Sequence, residues 1–462
     1  MELAFLPATE QARLVREREV TPLELVELYL ERIERLDPAL GAYVTVCGDE
    51  ALEDARAKTD VPAEAPFHGV PIALKDLDTT AGIRTTFSSP EFAANVPDFD
   101  LAHVARLRAA GFVILGKTNA PEFGTTAFTD SALNGPCRTP WDLSRNAGGS
   151  SGGAGSALAA GLCAIAQGSD GGGSIRIPAS CNGVFGFKPS RGRVSNAPFA
   201  PGIGLGTTGP LSRTTADAAA YLDVVVGYEW GDPFPAPPPD RPYAEEVGVD
   251  PGRLRVALTT ASPNGNPVDD ACVTAARDAA ELFASLGHEV DESAPDWDGA
   301  QVMEDFKPVW QTTPSYYPIC DPSLLSPLNQ AFLRAAADTP STVYGAAVAR
   351  LQMRARKIAS FWSDYDLLLT PTLALPPVPV GWETEPDDPW EQFDRAVRFT
   401  PFTAVFNVTG QPAISLPLHW TDAGLPIGVQ LVGPPLGDAL LVRIASQLEQ
   451  ARPWAGRRPP HS

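Results

Sequence analysis

Apolar positions recur along the chain in two alternating rhythms. In TPLELVELYLERIERLDP, Val26, Leu30 and Ile33 fall on one face of a 3.6-residue period, Thr21 stands as N-cap and Pro22 takes the first helical position. That combination predicts a helix. HGVPIALKD, from His68 to Asp76, reads as a short apolar strand ending in charge. LAHVARLRAAG and then FVILGK read as a helix, a stop at Gly111 and a buried strand. SSGGAGSALAAGLCAIAQG reads as one Ala-rich, tightly packed helix. RVALTT, DDACVTAARDAAELFASLG and HEV form a strand–helix–strand unit; DLLLTPT, PAISLP and PIGVQLVG are late strands before a helix from about Asp438. Strands alternating with helices predict an α/β layered fold with a mostly parallel sheet.

Two proline-rich stretches interrupt the pattern. GDPFPAPPPDRPY (Gly231 to Tyr243) reads as a surface connection, and LPPVPVGWETEPDDPW (Leu375 to Trp390) as a long acidic loop of the kind that walls a pocket. Neither has the composition of a flexible linker and no internal repeat is visible. Although 462 residues allow up to about three domains, one large domain over 1–462 is expected. A net charge of −21 argues against nucleic acid or anionic lipid as a partner. There is no basic start followed by an apolar run at the N-terminus, and no window of about 18 apolar residues. The expectation is a cytoplasmic protein without a membrane segment. The six cysteines are scattered, without a CxxC pair, and none stands at metal-ligand spacing from a histidine. They read as reduced thiols, and neither metal nor cofactor is expected.

Three glycine motifs need weighing. Gly111 to Thr118, GFVILGKT, has the letters of a phosphate loop, but a helix precedes it and its interior is an apolar strand, so the backbone cradle is missing. Gly204 to Gly209, GLGTTG, is followed at once by Pro210 and has no hydrophobic strand leading in, so it reads as a glycine-rich loop rather than a dinucleotide site. Gly148 to Gly152, GGSSG, has the form of a nucleophile elbow, which would require an acid and then a histidine downstream. His288, His419 and His461 are the only candidates, and none has a telling context.

GSDGGGSIR, from Gly168 to Arg176, raises a different chemistry. A serine nucleophile needs a base and N–H donors aimed at the oxyanion it creates. Gly171, Gly172 and Gly173 let a loop turn sharply and present successive N–H groups to one point in front of Ser174. Asp170 and Arg176 flank the loop and are placed to clasp it. An ordinary glycine-rich turn is equally compatible with this stretch alone. With no histidine in a telling place, Lys75 at the end of VPIAL is the candidate base, because burial favours the neutral amine. A serine in NAGGSSGG (Asn146 to Gly153) would relay a proton between Lys75 and Ser174.

Together, PIALKD, RNAGGSSGGAGSALAAG and GSDGGGSIRIPASCNGVFGFKPS resemble the amidase signature family in order and spacing: Lys75 precedes Ser150 by 75 residues and Ser174 follows it by 24. The diagnostic core runs over about 68–210, with an N-terminal helical segment over about 1–60 and a variable pocket region over about 300–400. Weaker likeness continues through LLLTPT, FNVTGQPAISLP and GLPIGVQLVGP. The resemblance implies a large mixed β-sheet flanked by helices on both faces, with Lys75 as base, Ser150 as bridging serine and Ser174 as acylated nucleophile. It implies a cis Gly149–Ser150 bond and an oxyanion hole from the backbone of Gly171, Gly172, Gly173 and Ser174. It also implies loop support from Ser151, Asp170 and Arg176.

EFGTTAFTDSALN (Glu122 to Asn134) should, by the same similarity, line the pocket, with Gly124 and Thr125 nearest the triad. WQTTPSYYPIC (Trp310 to Cys320) and the loop from Trp382 to Trp390 are candidate entrance walls, and they favour a hydrophobic amide. The partner implied is a small-molecule amide, with a second copy of the chain left open. Three other readings stand beside a stand-alone amidase: an amidotransferase A-type subunit releasing ammonia from glutamine, an α/β-hydrolase esterase using Ser150 and a histidine, and a non-catalytic binding protein.

Overall fold

The protein's computed structural model describes residues 2–199, 203–298 and 301–462. Among these the strands are β1 (Tyr43–Val46), β2 (Pro71–Lys75), β3 (Val113–Thr118), β4 (Arg138–Thr139), β5 (Asp142–Asn146), β6 (Ile165–Asp170), β7 (Phe185–Lys188), β8 (Thr207–Ser212), β9 (Arg255–Leu258), β10 (Glu289–Glu292), β11 (Leu367–Pro371), β12 (Ala413–Trp420) and β13 (Pro426–Val432). β4 and β5 form a small separate ribbon, and the other eleven make one sheet in the order β1-β3-β2-β6-β8-β7-β12-β13-β11-β9-β10. The sheet is mixed. β2 pairs in parallel with β3 and β6, and β9 with β10 and β11; the remaining six pairings are antiparallel. The mostly parallel sheet read from strand–helix alternation is thereby corrected. Alternation records which elements follow one another, whereas direction is decided by long returns such as β6 to β8.

Helices cover the sheet. The helix Pro22–Leu40 begins with a full capping box, Thr21 accepting from the Glu24 N–H and Glu24 accepting from the Thr21 N–H. It buries Leu25, Val26, Tyr29 and Ile33, and stops where Gly41 turns left-handed. The predicted helix over SSGGAGSALAAGLCAIAQG is two elements: a helix Gly152–Ala159, a left-handed stop at Gly161, and then β6. Every residue of that helix is buried. Its glycines permit the depth, for a Cβ at Gly153 would lie 2.8 Å from the Asn119 carbonyl oxygen.

GLGTTG also needs correction, because its last three residues open β8. Proline is tolerated inside this strand since β8 pairs along its length with β6 but meets β7 only at Leu211 and Ser212. The GFVILGKT motif resolves as expected into a helix, Ala102–Ala109, and the wholly buried β3. Lys117 is fully buried and donates to Asp78 O and Thr80 Oγ1, out of reach of a phosphate. The N-terminal segment, expected to be helical, also contributes the edge strand β1. No helix among the described residues is long and apolar enough to cross a membrane, and no metal-binding cluster occurs among them.

Candidate active site

β2 and β6 are parallel neighbours, with Ile72 opposite Ile165 and Ala73 opposite Ala166. Their C-terminal ends therefore deliver Lys75 and the Ser169–Asp170 pair to one place. Lys75 is fully buried. Its Nζ donates to Ser150 Oγ at 2.7 Å and to Ser169 Oγ at 3.0 Å, and its backbone N–H is held by Gln167 Oε1 at 2.9 Å. Burial lowers the Lys75 pKa to about 7, with Asp78 and Asp170 pulling weakly the other way. The Gly149–Ser150 peptide is cis, as the resemblance implied.

The Gly168–Arg176 loop is held from within. Arg176 and Asp170 are both fully buried and joined by paired bonds of 2.9 Å. Burial alone would push the Asp170 carboxyl up; the guanidinium outweighs it and holds the acid far below the ordinary carboxylate range. Asp170 also accepts from the Gly173 N–H at 2.8 Å and the Ile175 N–H at 3.2 Å. Among the described residues, no acceptor takes the N–H groups of Gly171, Gly172 or Ser174. The N–H of Gly173 is thus committed to the turn, while those on either side of it are free. Gly173 itself has φ +133° and packs against Thr403 and Ile177. Ser151 ties the neighbouring loop to this one. Its N–H donates to Ser174 O at 3.2 Å, and its Oγ lies 3.3 Å from both the Ser169 carbonyl and the Ser169 N–H.

Several supports were not foreseen. Asn407 Nδ2 donates to Asp170 O and Oδ1, both at 2.8 Å. Arg176 also reaches Thr403 O, Gln430 Oε1 and Asn407 Oδ1. These residues lie more than 220 positions downstream of the loop they fix. Only the quoted FNVTGQP, which contains Asn407, and GLPIGVQLVGP, which contains Gln430, carried any signal of them.

Ser174 opens into a cavity of about 750 Å³, its open mouth included. Thr125, Gly172 and Ile177 line it near Ser174; Trp297, Phe306, Trp310, Phe393 and Val405 form much of the wall. No charged side chain lines it among the described residues. Gly124 lies against Ser150: a Cβ there would be 3.1 Å from Ser150 Oγ. Of the expected entrance walls, Trp310 takes part and Cys320 does not, being exposed elsewhere. Trp382 and Trp390 are likewise absent from the lining. Trp382 packs against Phe128, Trp390 packs against Phe332, and the following helix Pro389–Phe399 supplies the wall.

No histidine hydrogen-bonds Ser150. His288 bridges the Leu254 N–H and Gln447, and His419 pairs with Asp278 at 2.9 Å. The α/β-hydrolase reading therefore lacks its base.

A mixed sheet with a buried lysine against one glycine-loop serine and a second serine at an apolar cavity defines a class that comparison with known proteins identifies. The amidase family model matches residues 24–442, and the chain belongs to that family. It is an amidase, hydrolysing the C–N bonds of amides. The chain is 37% identical to the 6-aminohexanoate-cyclic-dimer hydrolase of Paenarthrobacter ureafaciens, covering 98% of this chain and 96% of that one. It is 34% identical to an acylamidase of Rhodococcus erythropolis, covering 100% and 98%. Among solved structures, a 6-aminohexanoate cyclic dimer hydrolase complexed with substrate superposes with a TM-score of 0.94 at 34% identity over the full length of both chains.

Proposed function

We propose that the protein is a stand-alone amidase for neutral, hydrophobic carboxylic amides, working through a Ser174 acyl-enzyme with Ser150 as relay and Lys75 as base. The observation that carries this reading is the 2.7 Å contact between the buried Lys75 Nζ and Ser150 Oγ. An amine that is neutral near pH 7 accepts a proton where an ordinary lysine would not. Lys75 takes the Ser150 proton as Ser150 takes that of Ser174, and Ser174 Oγ forms a bond to the amide carbonyl carbon. The oxyanion is received by the free N–H groups of Gly171, Gly172 and Ser174, which need no reorganisation as the charge appears. Gly173 serves the same hole by shaping the turn, its own N–H being spent on Asp170. The C–N bond breaks as the proton returns along the relay to the leaving nitrogen. Water then attacks the acyl-enzyme by the same route and releases the acid.

The uncharged lining supports a neutral substrate. Free glutamine carries an ammonium and a carboxylate, and burying both without partners costs several kcal/mol per charge, on the order given by ion desolvation. This weighs against the amidotransferase reading. Esters, anilides and carbamates of similar shape fit the same chemistry.

Treatment with a fluorophosphonate followed by peptide mapping tests the nucleophile. Label on Ser174 is expected. Label on Ser150, or none together with no hydrolysis across an amide and ester panel, would sink the proposal. Purified alone, the chain should hydrolyse neutral aryl and alkyl amides and leave glutamine intact; the reverse preference would restore the amidotransferase reading.

A further inference from the structure

The segment Glu122–Thr126 passes over Ser150 as a strap, and its backbone cannot hold that position unaided. Phe123 and Gly124 are consecutive residues in the left-handed region, at φ +54° and +71°; the first is a non-glycine residue for which this conformation is strained. The approach is also as close as sterics allow, because a Cβ at Gly124 would lie 2.6 Å from Leu77 Cδ1 as well as against Ser150. Something outside the strap must fix it.

The buried carboxylate of Glu122 receives three donors: Ser89 Oγ at 2.7 Å, the Ser326 N–H at 2.8 Å and Asn329 Nδ2 at 2.7 Å. Contact with a carboxylate fixes which end of the Asn329 amide is nitrogen. Asn329 Oδ1 then faces the other end of the strap, where it accepts from Thr125 Oγ1 at 2.9 Å. Asn329 is 1% exposed and touches both Glu122 and Thr125. The next carbonyl, Thr125 O, accepts from Trp310 Nε1 at 2.9 Å. Ser89 and Phe87, whose carbonyl accepts from the Phe123 N–H at 2.9 Å, hold the strap from one side; Trp310 from the helix Gln301–Trp310 and Asn329 from the helix Pro327–Asp338 hold it from the variable region.

We propose that Asn329 is a positioning residue for the amidase reaction, locking the strap against Ser150 from the same part of the chain that walls the substrate cavity. The lock rests on the proposed Lys75–Ser150–Ser174 triad. It makes wall and relay one mechanical unit. Removing the amide takes away an acceptor of Thr125 Oγ1 and one of the three donors on Glu122 at once, leaving Trp310 to hold Thr125 O alone; the strap over Ser150 loosens, so the cost falls on turnover, with little change in the apolar contacts that bind substrate.

The test compares Asn329→Ala, Thr125→Val and the double variant, with 4-nitroacetanilide as substrate. Active sites are counted by fluorophosphonate titration, so unfolded protein drops out of the rate. Asn329→Ala is expected to lower kcat per titrated site roughly 10–100-fold, the order a misplacement of about 1 Å produces, with KM changed less than three-fold. The double variant should cost no more than Asn329→Ala alone, because both substitutions break the same bond. An unchanged kcat per titrated site in Asn329→Ala overturns the lock and leaves the triad standing. So does a double variant equal to the product of the singles. Absence of Ser174 label in the wild-type chain overturns the triad reading and the lock with it.

Discussion

Lys75 is one of three wholly buried lysines, with Lys117 and Lys188, and burial lowers the pKa of all three. Depressed basicity therefore does not single it out; its partner does. Lys117 spends its protons on Asp78 O and Thr80 Oγ1, and Lys188 donates to Pro189 O, whereas Lys75 donates to Ser150 Oγ. If neutral Lys75 is the base, kcat/KM falls as pH drops through about 7, tenfold per pH unit below it. A profile flat to pH 5.5 would remove the lysine from that role. The same depressed pKa means that the folded state strains against a charged lysine below pH 7. Lys75→Met should abolish turnover, by about 10⁴-fold or more. It should also raise the urea midpoint at pH 6, since an apolar side chain does not bear the cost of desolvating an ammonium. A midpoint lowered at pH 6 would mean that the bonds to Ser150 and Ser169 outweigh that cost.

At the scale of elements, the Gly168–Arg176 loop separates two kinds of glycine. Gly173 needs both its left-handed φ and its missing Cβ, which would lie 2.7 Å from Thr403 Cβ and 2.8 Å from Ile177 Cδ1. Gly172 needs neither to the same degree: a Cβ there meets nothing closer than Trp310 at 3.8 Å. Gly173→Ala is therefore expected to lower stability by about 1–3 kcal/mol, the range for a strained backbone site, and to cost at least tenfold in kcat as the N–H groups beside it lose aim. Gly172→Ala should leave the unfolding free energy measured in urea within about 0.5 kcal/mol of wild type. Equal losses in the two variants would show that the loop is not held as described. The loop's chemistry was legible in the sequence because its parts are contiguous: three glycines, a serine and two flanking charges in the seven residues from Asp170 to Arg176. Its frame was not, because Thr403, Asn407 and Gln430 arrive from far downstream, on a turn, the short helix Val405–Thr409 and β13. Strap and cavity follow the same rule. Thr125 was anticipated from its motif, whereas Asn329 sits at an ordinary helix start with no pattern of its own.

Across the whole molecule, buried ionisable groups make stability a function of pH with a readable sign. Lys75 and Lys188 are held at about 7 in the folded chain against an ordinary lysine value of 10.5. Between these values the unfolded chain binds the protons the folded chain has released, and stability rises with pH by about 1.4 kcal/mol per proton per unit. Glu383 acts against this: burial raises it from 4.5 to about 8, so the folded chain holds an extra proton, but that opposition ends near pH 8. Above 9 the thiols take over. Cys47 and Cys163 are pushed up to about 11 and about 12 by burial, and Cys137, Cys181 and Cys272 higher still, from an ordinary value of 9.0. The unfolded chain then sheds protons that the folded chain keeps, and stability falls. The expected curve of Tm against pH climbs from 7 to a maximum near 9 and descends above it. Replacing both Lys75 and Lys188 by methionine should flatten the climb to the share left by buried Lys117 and leave the descent. A Tm that declines steadily from pH 7 to 9 in the wild-type chain would mean that these lysines keep their protons when buried, and would remove with it the premise that Lys75 is neutral at the site.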